Sequence, residues 1–442
     1  MLVFLFLQPG VPEISDAWEL GVCALDANTG DELIAINGYD TFRPASTVKA
    51  LTTLAALEYL GPEYVYNTTI TADTLSGHLV LNGAGAPLLS AEDVTRTAME
   101  TAAMLPPGSS WSLYLDVSAI EGESHLPGWD DDDWNRTYCP PVEPLCIGDN
   151  VLEIIISARG DGIRIYTYPP LPSLIVDASG LSAGASTTVN VIGGNWDTAS
   201  PEVIISGTVR RGTREIIYKP FAGAPVELTL FLENELLEQG INAVYSGLYP
   251  DEYNIGSWSQ VTSVMYSDPL WVILGTMNKW SRNMVAEQVL RTTAMEVTGT
   301  AGSTRSGCDV AGALLEEICP GVTGWQIADG SGLSRLNRLA PVQLARVFQA
   351  GYSSLEYGHE FLSCFPVNGR DGTLSTRITG IPEGAFRGKT GSLNDTCTIA
   401  GILTAKSGRK IALAVFIHHP RGHIWRARTW QDAYIENLYQ YY

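Results

Sequence analysis

Lysine is scarce in this chain of 442 residues. Only Lys49, Lys219, Lys279, Lys389, Lys406 and Lys410 occur, and lysine and arginine together number 27 against 48 aspartates and glutamates. The net charge of −21 excludes a nucleic-acid partner, because phosphate binding needs basic surface. No run of about 18 or more apolar residues is present, so nothing reads as a membrane span. Met1 to Leu7 is apolar but lacks a basic flank and is short for an export signal. The stub of a trimmed signal and an opening strand or helix both remain open. Histidine clusters once, at His418, His419 and His423, with no acidic or cysteine ligand in register. That cluster reads as a strand end and turn, so neither a metal nor a cofactor is expected. Seven cysteines are an odd number, which leaves at least one outside any internal disulfide. Cys139 and Cys146 bracket a bent Pro-Pro-Val-Glu-Pro-Leu segment that could let them bridge. Cys308 and Cys319 flank a helical stretch, 309 to 318, that would hold them too far apart to bond.

What is present describes a folded protein of two or three domains, with a hydrophobic fraction of 45% and a charged fraction of 17%. Leu20–Leu25 and Glu32–Ile36 flank the turn Ala27-Asn28-Thr29-Gly30 and predict a hairpin. A helix is expected from Ser46, after Arg43-Pro44-Ala45, to Gly61-Pro62. From about 65 to 255 short β-rich runs alternate with Gly/Pro/Ser loops, interrupted by a helical stretch over Ser90–Met104. A helix returns around Leu228–Gly240, and helical periodicity dominates from Ser263. A loop-rich stretch at 366–392, a strand pair at 395–419 and a final helix near 427–440 close the chain. The economical arrangement is one α/β catalytic domain built from both ends of the chain, 1–72 and 257–442. A mostly β insertion, 73–256, fills the middle, with linkers near 70–75 and 250–260.

The chemistry begins at Ser46-Thr47-Val48-Lys49, a hydroxyl and an amine one helical turn apart. Serine is a poor nucleophile without a neighbouring base, and lysine serves as that base only when burial or nearby cations depress its pKa. Lys389-Thr390-Gly391-Ser392 offers a cation and hydroxyls beside a glycine, which suits close approach of a substrate carboxylate to a strand edge. It is expected to end a loop ahead of a core strand, Thr396–Leu403. Between the two lies Ser281-Arg282-Asn283. S-x-x-K, S-x-N and K-T-G in this order are together the mark of penicillin-recognising serine enzymes.

On these residues the chain resembles the class C low-molecular-mass penicillin-binding proteins, the D-alanyl-D-alanine carboxypeptidase/endopeptidases of the bacterial cell wall. Asn278–Glu287 is similar to that family's N-K-x-S-x-N-x-x-A-E segment, and Asp329–Arg338 to its D-G-S-G-L-S-R-x-N run. Gly369–Leu374 and Lys389–Leu393 complete the set, so the resemblance spans nearly the whole chain. Two departures stand out: Arg282 where aspartate is common, expected to point to solvent, and Gly83-Ala84-Gly85-Ala86-Pro87 where the family often has Gly-Gly-Gly-Asp-Pro.

The resemblance implies a β-lactamase/transpeptidase-like domain, an antiparallel sheet flanked by helices, with two inserted, mostly β domains. It implies Ser46 as nucleophile, Lys49 as base, Ser281 as proton relay, Asn283 as the residue orienting Lys49, and Lys389 and Thr390 as holders of the substrate carboxylate. Backbone N–H groups of Ser46 and Ser392, with Gly391 beside them, would form an oxyanion hole. Asp133, Tyr138 and Arg335 match residues of a pocket for the peptide side chain, suited to the zwitterionic end of meso-diaminopimelate. The implied partners are peptidoglycan stem peptides and β-lactams, and the implied location is the cell envelope, periplasmic or extracellular. Two other readings stay in view. A β-lactamase or esterase on the same scaffold would release a β-lactam acyl group quickly, and a non-catalytic wall-binding protein would not be acylated.

Overall fold

The computed structural model describes residues 14–159, 162–193, 201–250 and 259–442. The expectation for Met1–Leu7 and most of the second expected linker lie outside these residues. The expected hairpin forms: β1 (Glu19–Asp26) and β2 (Glu32–Ile36) pair antiparallel. The next segment departs from a plain helix. Ala45–Val48 is a tight 3-10 turn, and α1 (Lys49–Leu60) follows it, ending at Gly61 with φ +78°. Glycine adopts that conformation freely, and Pro62 cannot continue the helix. Every residue of α1 from Lys49 to Leu57 is buried, as expected for a helix that is apolar all round.

The middle of the chain forms its own compact unit, Val65–His125 with Asp130–Ser267. It contains β3 (Asn67–Asp73), β4 (His78–Asn82), α2 (Ala91–Met104) and β5 (Ser110–Asp116). Then come β6 (Val151–Arg159), β7 (Gly162–Tyr168), β8 (Ile175–Gly184), β9 (Asn190–Ile192), β10 (Glu202–Arg210) and β11 (Arg214–Pro220). α3 (Ala224–Glu238), β12 (Asn242–Leu248) and β13 (Ser259–Tyr266) complete it. The strands form a five-stranded sheet ordered β12-β5-β4-β3-β13 and two three-stranded sheets, β11-β6-β7 and β8-β10-β9. α2 starts where the sequence places it, because Ser90 and Asp93 cap each other's backbone N–H. The residues expected as a first linker, 70–75, belong to β3 and the turn after it. β13 also runs through Ser263, where helices were expected to take over.

The chain then returns to the first unit, which comprises Met1–Tyr64, Leu126–Trp129 and Asp268–Tyr442. α4 (Leu270–Lys279), α5 (Asn283–Thr298), α6 (Thr304–Ile318), α7 (Pro341–Ser353) and the short α8 (Gly358–Ser363) precede three strands. These are β14 (Phe386–Leu393), β15 (Thr396–Thr404) and β16 (Lys410–His418), and α9 (Ile424–Tyr441) ends the chain. The sheet order is β14-β15-β16-β1-β2, antiparallel throughout, so the first strand of the chain lies beside the last. Val22, Leu413, Val415, Ile399 and Phe386 pack with Trp430, Tyr434 and Leu438 of α9 in one continuous core. α7 packs against β1, β15 and β16, and α1 packs among α4, α5, α6 and α7.

Lys389–Ser392 does not end a loop, as the sequence suggested, but lies within β14, an edge strand. Residues 366–367 cover that edge at Arg387 and Gly388, and no further strand pairs with it among the described residues. No disulfide joins the cysteines, and Cys139 and Cys146 are both buried. Burial drives the Cys146 thiol well above its ordinary range, and Cys146 donates instead to the carbonyl of Glu143 at 3.2 Å. No described helix is long and apolar enough to cross a membrane.

Candidate active site

Three separated stretches of the first unit meet around Lys49. Pro44 and the 3-10 turn place Ser46 at the head of α1, and two threonines pin that turn. Thr47 and Thr398 of β15 both donate to the carbonyl of Pro44, each at 2.6 Å. Gly391 of β14 makes the close approach possible: a Cβ there would lie 2.9 Å from both the Pro44 oxygen and the Ser46 nitrogen. Gly332 seals the other side at φ +82°, where an added Cβ would lie 2.8 Å from the Ser46 nitrogen. The backbone of Ser46 is therefore gripped between two positions that admit only glycine.

Lys49 is fully buried, and its Nζ has three partners. It donates to Asn283 Oδ1 at 2.6 Å and to the Ser331 carbonyl at 2.5 Å, and it lies 3.2 Å from Ser46 Oγ. Burial lowers its pKa to about 7, against the opposing pull of Asp329 and Glu287. A sizeable fraction is thus the neutral amine near neutral pH. That amine has two N–H groups and one lone pair. With the N–H groups committed to Asn283 and Ser331, the lone pair is left for the Ser46 hydroxyl.

Ser281 sits between α4 and α5 at φ +58°, a conformation a non-glycine residue keeps only when its surroundings impose it. Its hydroxyl accepts from Lys389 Nζ at 3.0 Å. Lys389 is buried too, and burial followed by the nearby positive charge of Lys49 pushes its pKa well below the ordinary lysine value. Its amine also donates to the carbonyl of Thr390 at 2.8 Å, and the Thr390 hydroxyl donates to Thr373 at 2.8 Å. The Ser392 hydroxyl accepts from Arg428 at 3.1 Å. All eight residues lie in one unit, with Ser46, Lys49 and Asn283 in one hydrogen-bonded group, Ser281, Lys389 and Thr390 in a second, and Gly391 against the Ser46 backbone. Arg282 is exposed, as expected.

The residues matched to a side-chain pocket fall in two groups. Asp133 and Tyr138 lie in the second unit and meet each other, the phenol donating to Asp133 Oδ1 at 2.6 Å. Arg335 lies in the first unit, 3.6 Å from Asp395, which also pairs with Arg43 at 3.0 Å.

Several residues of the site received no role from the sequence. Asp329 is fully buried and accepts from five groups: the backbone N–H of Gly332 and Ser334, Asn337 Nδ2, Trp129 Nε1 and the Ser331 hydroxyl, at 2.7–3.1 Å. Glu287, equally buried, accepts at Oε1 from the N–H groups of Gly330 and Ser331, at 2.9 and 2.8 Å. The signal for Glu287 was its spacing, since it follows Asn283 by four residues and so shares that residue's face of α5.

Relatives share this architecture. The chain is 26% identical over 418 residues to the D-alanyl-D-alanine carboxypeptidase of Actinomadura sp. strain R39, an alignment covering 88% of this chain and 76% of that one. The crystal structure of penicillin binding protein 4 from Haemophilus influenzae superposes with a TM-score of 0.80 at 22% identity, covering 100% of both chains. The same protein complexed with a β-lactam superposes with a TM-score of 0.75 at 23% identity, covering 99% of each. The sequence pattern of the D-Ala-D-Ala carboxypeptidase 3 (S13) family matches residues 9–432, and this chain belongs to that family of serine carboxypeptidases.

Proposed function

We propose that Ser46 attacks the carbonyl carbon of a D-Ala-D-Ala peptide bond and that Lys49 takes its proton as the new C–O bond forms. Ser281 relays a proton to the leaving amine, the C–N bond breaks, and an acyl-enzyme ester remains on Ser46. Water then hydrolyses that ester, which makes the net reaction removal of a terminal D-alanine or, on a cross-link, cleavage between D-alanine and diaminopimelate. Lys389 and Thr390 receive the substrate carboxylate along the edge of β14, where an extended peptide adds as a strand. Backbone N–H groups of Ser46 and Ser392 face the developing oxyanion, a role typically worth ~3 kcal/mol per donor. The observation that carries this reading is a fully buried Lys49 amine, its pKa lowered to about 7, within 3.2 Å of the Ser46 hydroxyl.

β-Lactams acylate the same serine because their ring amide mimics the substrate bond. The substrate places the enzyme's work in the cell envelope, outside the cytoplasmic membrane, on peptidoglycan stem peptides. Asp133 with Tyr138, hydrogen-bonded to each other, suits the ammonium of a diaminopimelate side chain. Fluorescent penicillin labelling tests the central claim. The wild-type chain takes up the label and holds it, and Ser46→Ala does not. Rapid release of the label would indicate a β-lactamase, and no labelling at all a non-catalytic wall-binding protein.

A further inference from the structure

We propose that Glu287 is a positioning residue that aims the Lys49 amine at Ser46 through the backbone of residues 330 and 331. This rests on Lys49 being the base.

The geometry runs through one peptide. The amine of Lys49 is oriented by two acceptors, Asn283 Oδ1 and the Ser331 carbonyl. Asn283 is the first residue of α5 and is fixed by that helix. Ser331 belongs to a loop, so its carbonyl direction depends on what holds the loop. Glu287 Oε1 accepts from Gly330 N and Ser331 N, and Thr52 of α1 donates to the Gly330 carbonyl at 2.8 Å. The Gly330–Ser331 link is thereby held from α5 on one side and α1 on the other. The fit at 330 is tight, since a Cβ there would lie 3.1 Å from Leu290 and 3.2 Å from the Ala286 carbonyl. Glu287 Oε2 is buried with no hydrogen-bond partner among the described residues, so the carboxyl's grip is exerted through Oε1.

Charge enters as a second consequence. Burial, then the neighbouring Asp329, raises the Glu287 pKa to about 8, against Arg291, the hydrogen bond from Ser331, and Lys49. Cys308 of α6 is the other titratable group that feels Glu287. A negative charge on Glu287 favours protonated Lys49. Through the Lys49 limb near pH 7 Glu287 is mostly the neutral acid, so a residue that keeps the Oε1 grip but cannot ionise leaves that limb close to its wild-type position.

The test is the rate of acylation by a fluorescent penicillin, measured from pH 5 to pH 10 for wild type and three variants. Glu287→Ala removes the grip and is expected to slow acylation by roughly 100-fold, the scale of a misplaced catalytic group. Glu287→Asp keeps a carboxyl but withdraws the oxygen by one methylene, and it slows acylation as well. Glu287→Gln keeps an accepting oxygen at the same reach, retains most of the wild-type rate, and leaves the acid limb close to its wild-type position. Alanine and aspartate variants that acylate at the wild-type rate would overturn the proposal, as would a glutamine variant as slow as alanine. Should Glu287→Ala not fold, the aspartate and glutamine variants decide alone. An unlabelled wild type would instead defeat the reading of Lys49 and Ser46 on which this rests.

Discussion

Gly332→Ala paired with Gly384→Ala separates backbone strain from crowding at the nucleophile. The two glycines have nearly the same conformation, φ +82° and φ +83°. An alanine at either position meets the same left-handed penalty, roughly 1–2 kcal/mol. Their surroundings differ completely. Nothing lies within 4 Å of a Cβ at 384, whereas a Cβ at 332 overlaps the Ala45 carbonyl and lies 2.8 Å from the Ser46 nitrogen. Ordinary contact begins at 3.4 Å, so the Ser46 nitrogen must retreat by about 0.6 Å. Displacement of that size at a reacting group costs on the order of 10–100-fold in rate. Overpacking adds roughly 1–3 kcal/mol of destabilisation. The assay is penicillin acylation alongside thermal melting. Both variants melt earlier than wild type, Gly332→Ala the more so, and only Gly332→Ala acylates slowly. Equal acylation by the two would refute the claim that the 332 contact holds the nucleophile in place.

Other outcomes follow from the same geometry. The acylation rate should climb with pH on a limb centred near 7, because the amine of Lys49 becomes a base only as it loses its proton. A limb near 10 would show that burial does not set that pKa. Glu143, whose oxygens accept from the N–H groups of Gly223 and Ala224, has its pKa raised by burial to about 7. The folded state therefore binds the proton more tightly than the unfolded chain, whose value is near 4.5. Stability from this group is complete below 4.5 and is lost as pH rises through 7, on the order of 3 kcal/mol in all. Glu143→Gln should flatten that dependence in denaturant titrations, and an unchanged slope would remove the assignment. Peptides ending in a free diaminopimelate side chain should be hydrolysed faster than N-acylated ones, and equal rates would exclude recognition of the side-chain ammonium.

Much of this was readable in the chain. The hairpin showed in its alternation and turn, α2 in its Ser90 cap, and α9 in its periodicity. Ser46, Lys49, Ser281, Asn283 and Lys389 could be named as candidates from the chain because the proposed chemistry demands particular residue types. The misreadings have physical causes. β14 looked like loop because Gly388 and Gly391 interrupt its pattern, yet Gly391 is there to admit the Ser46 backbone. Ser46 was expected at the start of an α-helix, because i and i+3 are neighbours in a 3-10 turn as well. Asp329 and Glu287 kept their roles hidden, since the burial that makes a carboxyl consequential is created by distant parts of the chain. The Cys139–Cys146 spacing permitted a bridge that the folded segment does not make.

The pairing of β1 with β16, Glu19 opposite His418, has a consequence for biogenesis. The central sheet cannot be completed until synthesis has passed His418, and long-range pairing of this kind is slow. The strand that carries Lys389 arrives in the same late segment. A nascent chain that stops short of β14 thus bears Ser46 without Lys389, and the hydrolysis proposed above must await that later segment.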